Sequence, residues 1–89
     1  MGYIPRVTGK YKKDYSRCVK RGWDMELLDD VNGRLRKGEQ LDDKYLDYQL
    51  SGNWTECREC HIESDWVLIY RIEEGYLILW RTGSHSDLF

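Results

Sequence analysis

Apolar side chains recur along this chain with two different periods, and the change from one to the other divides it. Between Thr8 and Gly22 the spacing is helical. Tyr11, Tyr15, Cys18 and Val19 fall together with lysines and arginines between them, Thr8 is placed as an N-cap, and Gly22 is a stop. A second helix is predicted after Asp24, its N-cap: Met25, Leu28, Val31 and Leu35 line one face, and Asp29, Asp30, Arg34 and Arg36 the other. Gly38 follows the basic last turn. Only Gly22-Trp23 joins the two helices, so they should form a hairpin lying over a sheet.

Further along, the period becomes two. Trp54 to Glu63, Asp65 to Ile72 and Tyr76 to Arg81 read as strands, and the separators Glu63-Ser64 and Glu73-Glu74-Gly75 are short enough for hairpins. Val67-Leu68-Ile69-Tyr70 and Tyr76-Leu77-Ile78-Leu79-Trp80 are continuous apolar runs, the pattern of central strands covered on one face and partly covered on the other. Before the helices, Tyr3-Ile4-Pro5-Arg6-Val7 leans toward β structure, and its proline cannot donate to a ladder, which places it at an edge. Residues 39–53 lack a sustained period and read as a long acidic loop delivering Tyr48 and Leu50 to the sheet. The expected fold is α+β: an N-terminal strand, a two-helix hairpin, then a three- to four-stranded antiparallel meander, as one domain over residues 1–89.

A chain of 89 residues buries only about 60% of its unfolded surface, so no large enclosed pocket is expected. Its 40% hydrophobic and 13% aromatic content is that of a folded protein. No apolar leader opens it and no run is long enough to span a membrane, so a soluble cytoplasmic protein is expected. Cys18, Cys57 and Cys60 are an odd number and should be reduced thiols. The net charge of -2 argues against a generic nucleic-acid binder, yet it is the sum of unequal parts. Residues 1–38 carry ten basic and five acidic side chains, and residues 39–65 two and eight. Lys10, Lys12, Lys13, Arg17, Lys20 and Arg21, opposed only by Asp14, form either a solvated helix face or a track for phosphates.

Cys57-Arg58-Glu59-Cys60-His61 matches a haem-attachment pattern, which the expected absence of export and of a downstream axial methionine excludes. A zinc site would need both cysteines, and strand alternation sends them to opposite faces, Cys57 with Glu59 and His61, Cys60 with Arg58 and Ile62. As small strand residues they are poor candidates for a nucleophile. No metal and no cofactor is expected.

The other cluster is His61, Asp65, Arg81 and His85, which a meander brings to one end of the sheet. Two imidazoles, a guanidinium and a carboxylate suit RNA cleavage by the ribose 2′-hydroxyl. Arg81 fits the role of neutralising a phosphorane, because its fork pairs two oxygens and never deprotonates. Two surface histidines without a catalytic role are the alternative.

The segments Leu50-Ser51-Gly52-Asn53-Trp54, His61 through Tyr70, and Arg81-Thr82-Gly83-Ser84-His85-Ser86-Asp87-Leu88-Phe89 resemble the YafQ-type toxins of the RelE superfamily. The resemblance runs over the whole chain in element order. It implies an mRNA interferase of a type II toxin–antitoxin system, entering the ribosomal A site beside 16S rRNA and cutting the codon there. It further implies a RelB/DinJ-type antitoxin that masks the active site and carries the complex to operator DNA. By the same resemblance His61 and Asp65 are the strand-edge catalytic pair, Arg81 the phosphate-binding arginine and His85 the general acid. The resemblance places Phe89 near the scissile bases and matches Trp66 as well, for which a core position at a strand start is the alternative; the basic helix residues Lys10, Lys12, Lys13 and Arg17 are the expected RNA contacts if their face tracks phosphates. The chain departs from the family at Tyr48, where histidine is usual; a phenol with an ordinary pKa near 10 is a poor base at neutral pH. Gyrase-inhibiting toxins of the same fold, without nuclease activity, are the alternative function, and a plain RNA-binding module is a third.

Overall fold

The computed structural model describes residues 2–52 and 56–89; Trp54, at the start of an expected strand, lies outside them. Strand β1 (Ile4–Val7) leads into helices α1 (Gly9–Lys20) and α2 (Met25–Arg36). A 3-10 turn (Asp43–Tyr45) and a two-residue strand β2 (Tyr48–Gln49) precede β3 (Arg58–Glu63), β4 (Trp66–Glu73) and β5 (Tyr76–Gly83), and helix α3 (His85–Leu88) follows. Thr8 and Asp24 cap the two long helices as expected, their side chains accepting from the backbone N–H groups of Tyr11 and Glu26.

The strands form one sheet in the order β1-β5-β4-β3-β2. The α+β class and the β3-β4-β5 antiparallel meander are as expected. With β2 the antiparallel meander has four strands, within the expected three to four, and the N-terminal strand completes a five-stranded sheet by joining β5 in parallel, Val7 opposite Leu79. The return from β1 to β5 runs through both helices and the other strands, a crossover that local periodicity does not specify. At the other edge, β2 lies within the expected loop and pairs Tyr48 with Glu59.

One face of the sheet packs against α1 and α2 through Tyr11, Cys18, Leu28, Val31, Leu35, Cys60, Ile62, Trp66, Leu68, Tyr70, Leu77 and Leu79. A smaller cluster of Cys57, Val67, Ile69 and Leu88, with Leu50 and Trp80 against it, occupies the opposite face. Cys57 and Cys60 thus lie on opposite sides, and burial raises both thiol pKa values above normal, which disfavours the thiolate form. The buried stripe of α1 differs from the expected one: Val19 is exposed, and its place is taken by the carboxylate of Asp14. The reason lies in the sheet. β1 ends at Val7 while β5 continues to Gly83, so the edge of β5 beyond Leu79 has no strand neighbour there. Helix α1 covers that edge, and Asp14 accepts the backbone N–H of Thr82 at 3.2 Å. Among the described residues no helix is long and apolar enough to cross a membrane.

Candidate functional site

The end of β3, the β3–β4 turn and the end of β5 meet at one end of the sheet, because antiparallel neighbours exchange direction at each turn. A short helix then folds back over this corner. Gly83, with φ +152°, makes the bend, and a Cβ there would stand 2.9 Å from Asp87 Oδ2. Ser84 and Asp87 close a reciprocal capping box around the first turn of α3. Asp87 is also held by Arg21, whose guanidinium donates to its two oxygens at 2.7 and 3.0 Å. That grip, with the N–H of Ser84, pushes the Asp87 carboxyl well below the usual range.

His85 on α3 and His61 on β3 thereby face each other with ring centroids 5.4 Å apart. Each is tied to a carboxylate. Asp65 Oδ1 accepts the backbone N–H of His85 at 3.1 Å and lies 3.0 Å from its ring Nδ1. The hydrogen bond from the ring is the main reason the Asp65 carboxyl lies below its ordinary value. His61 Nε2 lies 3.2 Å from Glu59 Oε2. Glu59 is only 2% exposed, and the same oxygen accepts a short hydrogen bond from the Tyr48 hydroxyl. That bond, followed by burial, raises the Tyr48 pKa above its ordinary value of 10, and the hydroxyl is engaged as a donor to Glu59. Phe89 lies beyond His85, centroids 6.0 Å apart.

Arg81 comes to the same end of the sheet on β5, but its hydrogen bonds go to Asp14, from Nε at 2.6 Å and Nη2 at 3.1 Å, and among the described residues none joins it to a histidine. Trp66 takes a core position: it is 3% exposed, donates Nε1–H to Thr82 Oγ1 at 2.9 Å and packs on Trp23. An apolar ring at the first position of a central strand is drawn into the core beneath the helix hairpin. Lys10, Lys12 and Lys13 are exposed along α1. Arg17 is divided, lying 3.4 Å from Asp14 and 3.8 Å from Asp87, while it lines an open depression of about 510 Å³ with Lys12, Lys13, Ser16 and Lys20.

Two carboxylates escaped the motif reading. Strand alternation had already put Glu59 on the face of His61; what it did not convey is that β2 would bury Glu59 and deliver Tyr48 to it. Asp14 gave no signal, since a helix pattern counts an aspartate as outward. Glu59, His61 and His85 each offer a ligand atom, all within 4.8 Å of one another, a donor set of imidazole and carboxylate that could hold a transition-metal ion. The arrangement as it stands offers two carboxylate-held imidazoles facing each other at the end of the sheet to which Arg81 also comes.

Comparison with known proteins agrees on one family. Residues 3–89 match the family model described as the bacterial toxin of a type II toxin–antitoxin system, YafQ. The mRNA interferase toxin YafQ of Escherichia coli K12 is 37% identical over 83 residues, which are 92% of this chain and 90% of that protein. The crystal structure of the E. coli DinJ-YafQ toxin–antitoxin complex superposes with a TM-score of 0.92 at 34% identity, over 100% of this chain and 99% of that one. A metal-bound toxin from Helicobacter pylori superposes with a TM-score of 0.90 at 42% identity, over the whole of both chains. The chain therefore belongs to the YafQ family of bacterial toxins of type II toxin–antitoxin systems.

Proposed function

We propose that this toxin is an endoribonuclease that cuts mRNA in the ribosomal A site by attack of the ribose 2′-hydroxyl. The observation that carries the reading is the facing pair of histidines, each held by a carboxylate, with ring centroids 5.4 Å apart. Glu59 takes the Nε2–H of His61 and leaves Nδ1 as the base that removes the 2′-hydroxyl proton. The freed oxygen attacks phosphorus and gives a phosphorane, whose added negative charge Arg81 neutralises. The 5′-oxygen leaves with a proton from His85, whose Nδ1 side is anchored on Asp65 so that Nε2 faces the substrate. The products are a 2′,3′-cyclic phosphate and a 5′-hydroxyl. Phe89, next to His85, offers a face on which a base can stack. Tyr48 supports the base indirectly, by fixing Glu59.

The exposed lysines of α1 suit the phosphates of 16S rRNA, and a chain of net charge -2 needs such a localised face to approach RNA at all. The same face suits an acidic segment of a DinJ-type antitoxin that folds as it binds, and operator DNA is then contacted through the antitoxin. With these partners the site of action is the cytoplasm.

Primer extension on translated message after induction tests the activity. The wild type should produce cuts within codons, and His85→Ala should reduce them about 100-fold or more. Absence of cuts in the wild type, or undiminished cuts in His85→Ala, refutes it. Inhibition of supercoiling in vitro with intact cellular RNA would move the chain to the gyrase-inhibiting toxins instead.

A further inference from the structure

We infer that Asp14 is a positioning residue for cleavage, setting the plane of Arg81 so that the outer edge of its guanidinium meets the scissile phosphate; this rests on the proposed phosphate-binding role of Arg81. Asp14 is 1% exposed in the middle of α1, a place where a carboxylate is strongly unfavourable unless its oxygens are matched. They are matched closely. Oδ2 accepts Arg81 Nε–H at 2.6 Å and the Thr82 backbone N–H at 3.2 Å, while Oδ1 accepts Arg81 Nη2–H at 3.1 Å and lies 3.4 Å from Arg17 Nη1.

Of the five N–H groups on a guanidinium, two on the Nε–Nη2 edge are thus engaged by Asp14. The two on Nη1 and the outer one on Nη2 form the remaining edge, the one with the geometry to take two phosphate oxygens. A single flexible arginine would otherwise sample many rotamers, and the backbone bond to Thr82 fixes Asp14 to the very strand that carries Arg81. Packing of α1 does not require an acid at this position, since an apolar side chain would bury at least as well. The carboxylate is explained by what it holds.

The same helix also holds the other half of the site. Arg17 lies 3.8 Å from Asp87, and Arg21 grips Asp87 in two hydrogen bonds, so α1 fixes both Arg81 and the turn that carries His85. Asp14 touches no substrate in this scheme; it acts through Arg81.

A double-mutant cycle with programmed ribosomes tests the assignment, using purified wild type, Asp14→Asn, Arg81→Ala and the double variant. Ribosome affinity and the cleavage rate of the bound complex are measured separately, and each variant is first checked by thermal melting. Asp14→Asn should cut about tenfold more slowly with affinity within twofold of wild type, and should have no further effect in the Arg81→Ala background. Equal losses in both backgrounds, or a wild-type rate in Asp14→Asn, overturn the inference. Wild type that does not cleave, or Arg81→Ala that cleaves at full rate, removes the parent reading and this one together, which separates the two failures. A measurement on the wild type covers the case in which Asp14→Asn does not fold. The Nε–H of Arg81 should exchange with water at least about tenfold more slowly than that of Arg6, and equal exchange overturns the inference.

Discussion

Glu59 shows how a single residue can be legible by position and still be missed for its role. Its place on the face of His61 follows from strand alternation, but a lone glutamate in a strand reads as solvent-facing until β2 is known to cover it. Once covered, it is a buried carboxylate between a phenol and an imidazole, and removing its charge leaves both neighbours unsupported. Glu59→Gln should lower the cleavage rate about 10- to 100-fold, because the amide can no longer accept from both Tyr48 and His61 in the same way. Tyr48→His places a titratable ring where the resemblance leads one to expect histidine and should cleave faster than the wild type. Rates of the bound complex check both: full activity in Glu59→Gln removes the dyad, and equal cleavage by the two forms at position 48 removes the argument for Tyr48 as a handicap.

At the scale of elements, length decided what could be read. Helices α1 and α2 present caps, stops and three turns of period each, and the apolar runs of β4 and β5 place those strands within two residues of their ends, whereas β3 begins at Arg58, four residues after the expected start at Trp54. Strand β2 has two residues and α3 four, too few for any period, although Ser84-x-x-Asp87 spelled the capping box that makes α3. The parallel docking of β1 was not legible either, since nothing in Ile4–Val7 names its partner. Helix α3 rests on Asp87, and this gives a dependence on pH with a definite sign. The folded pKa of Asp87 lies below its ordinary 3.8, chiefly through Arg21, so the carboxylate stabilises the docked helix above that value. That stability is lost as pH falls below 3.8 through the folded pKa. Urea midpoints measured from pH 6 down to pH 2 should therefore drop more steeply for the wild type than for Asp87→Asn, and parallel profiles would show that Asp87 does not anchor α3.

Across the whole molecule the charge is separated by sequence and by surface together, and this was visible in the uneven counts before any fold was known. The basic half folds into the helix hairpin, and the acidic stretch supplies the connector, strand β3 with Glu59 and the turn with Asp65, so an overall charge of -2 coexists with an exposed row of lysines. On the proposed function, binding to the ribosome through that row would release counterions from rRNA and weaken as salt rises, whereas the chemistry at the opposing histidines would not. Lys12 and Lys13 are exposed and line the depression on α1, with no part in the hydrogen bonds of the site among the described residues. Replacing both with alanine should reduce the slope of log affinity against log salt by about two while leaving the cleavage rate of the bound complex within about twofold. Filter binding or sedimentation with ribosomes across a range of salt gives the slope, and single-turnover cleavage at saturating toxin gives the rate. An unchanged slope would mean that α1 does not face rRNA, and the basic half would then be left to the antitoxin alone.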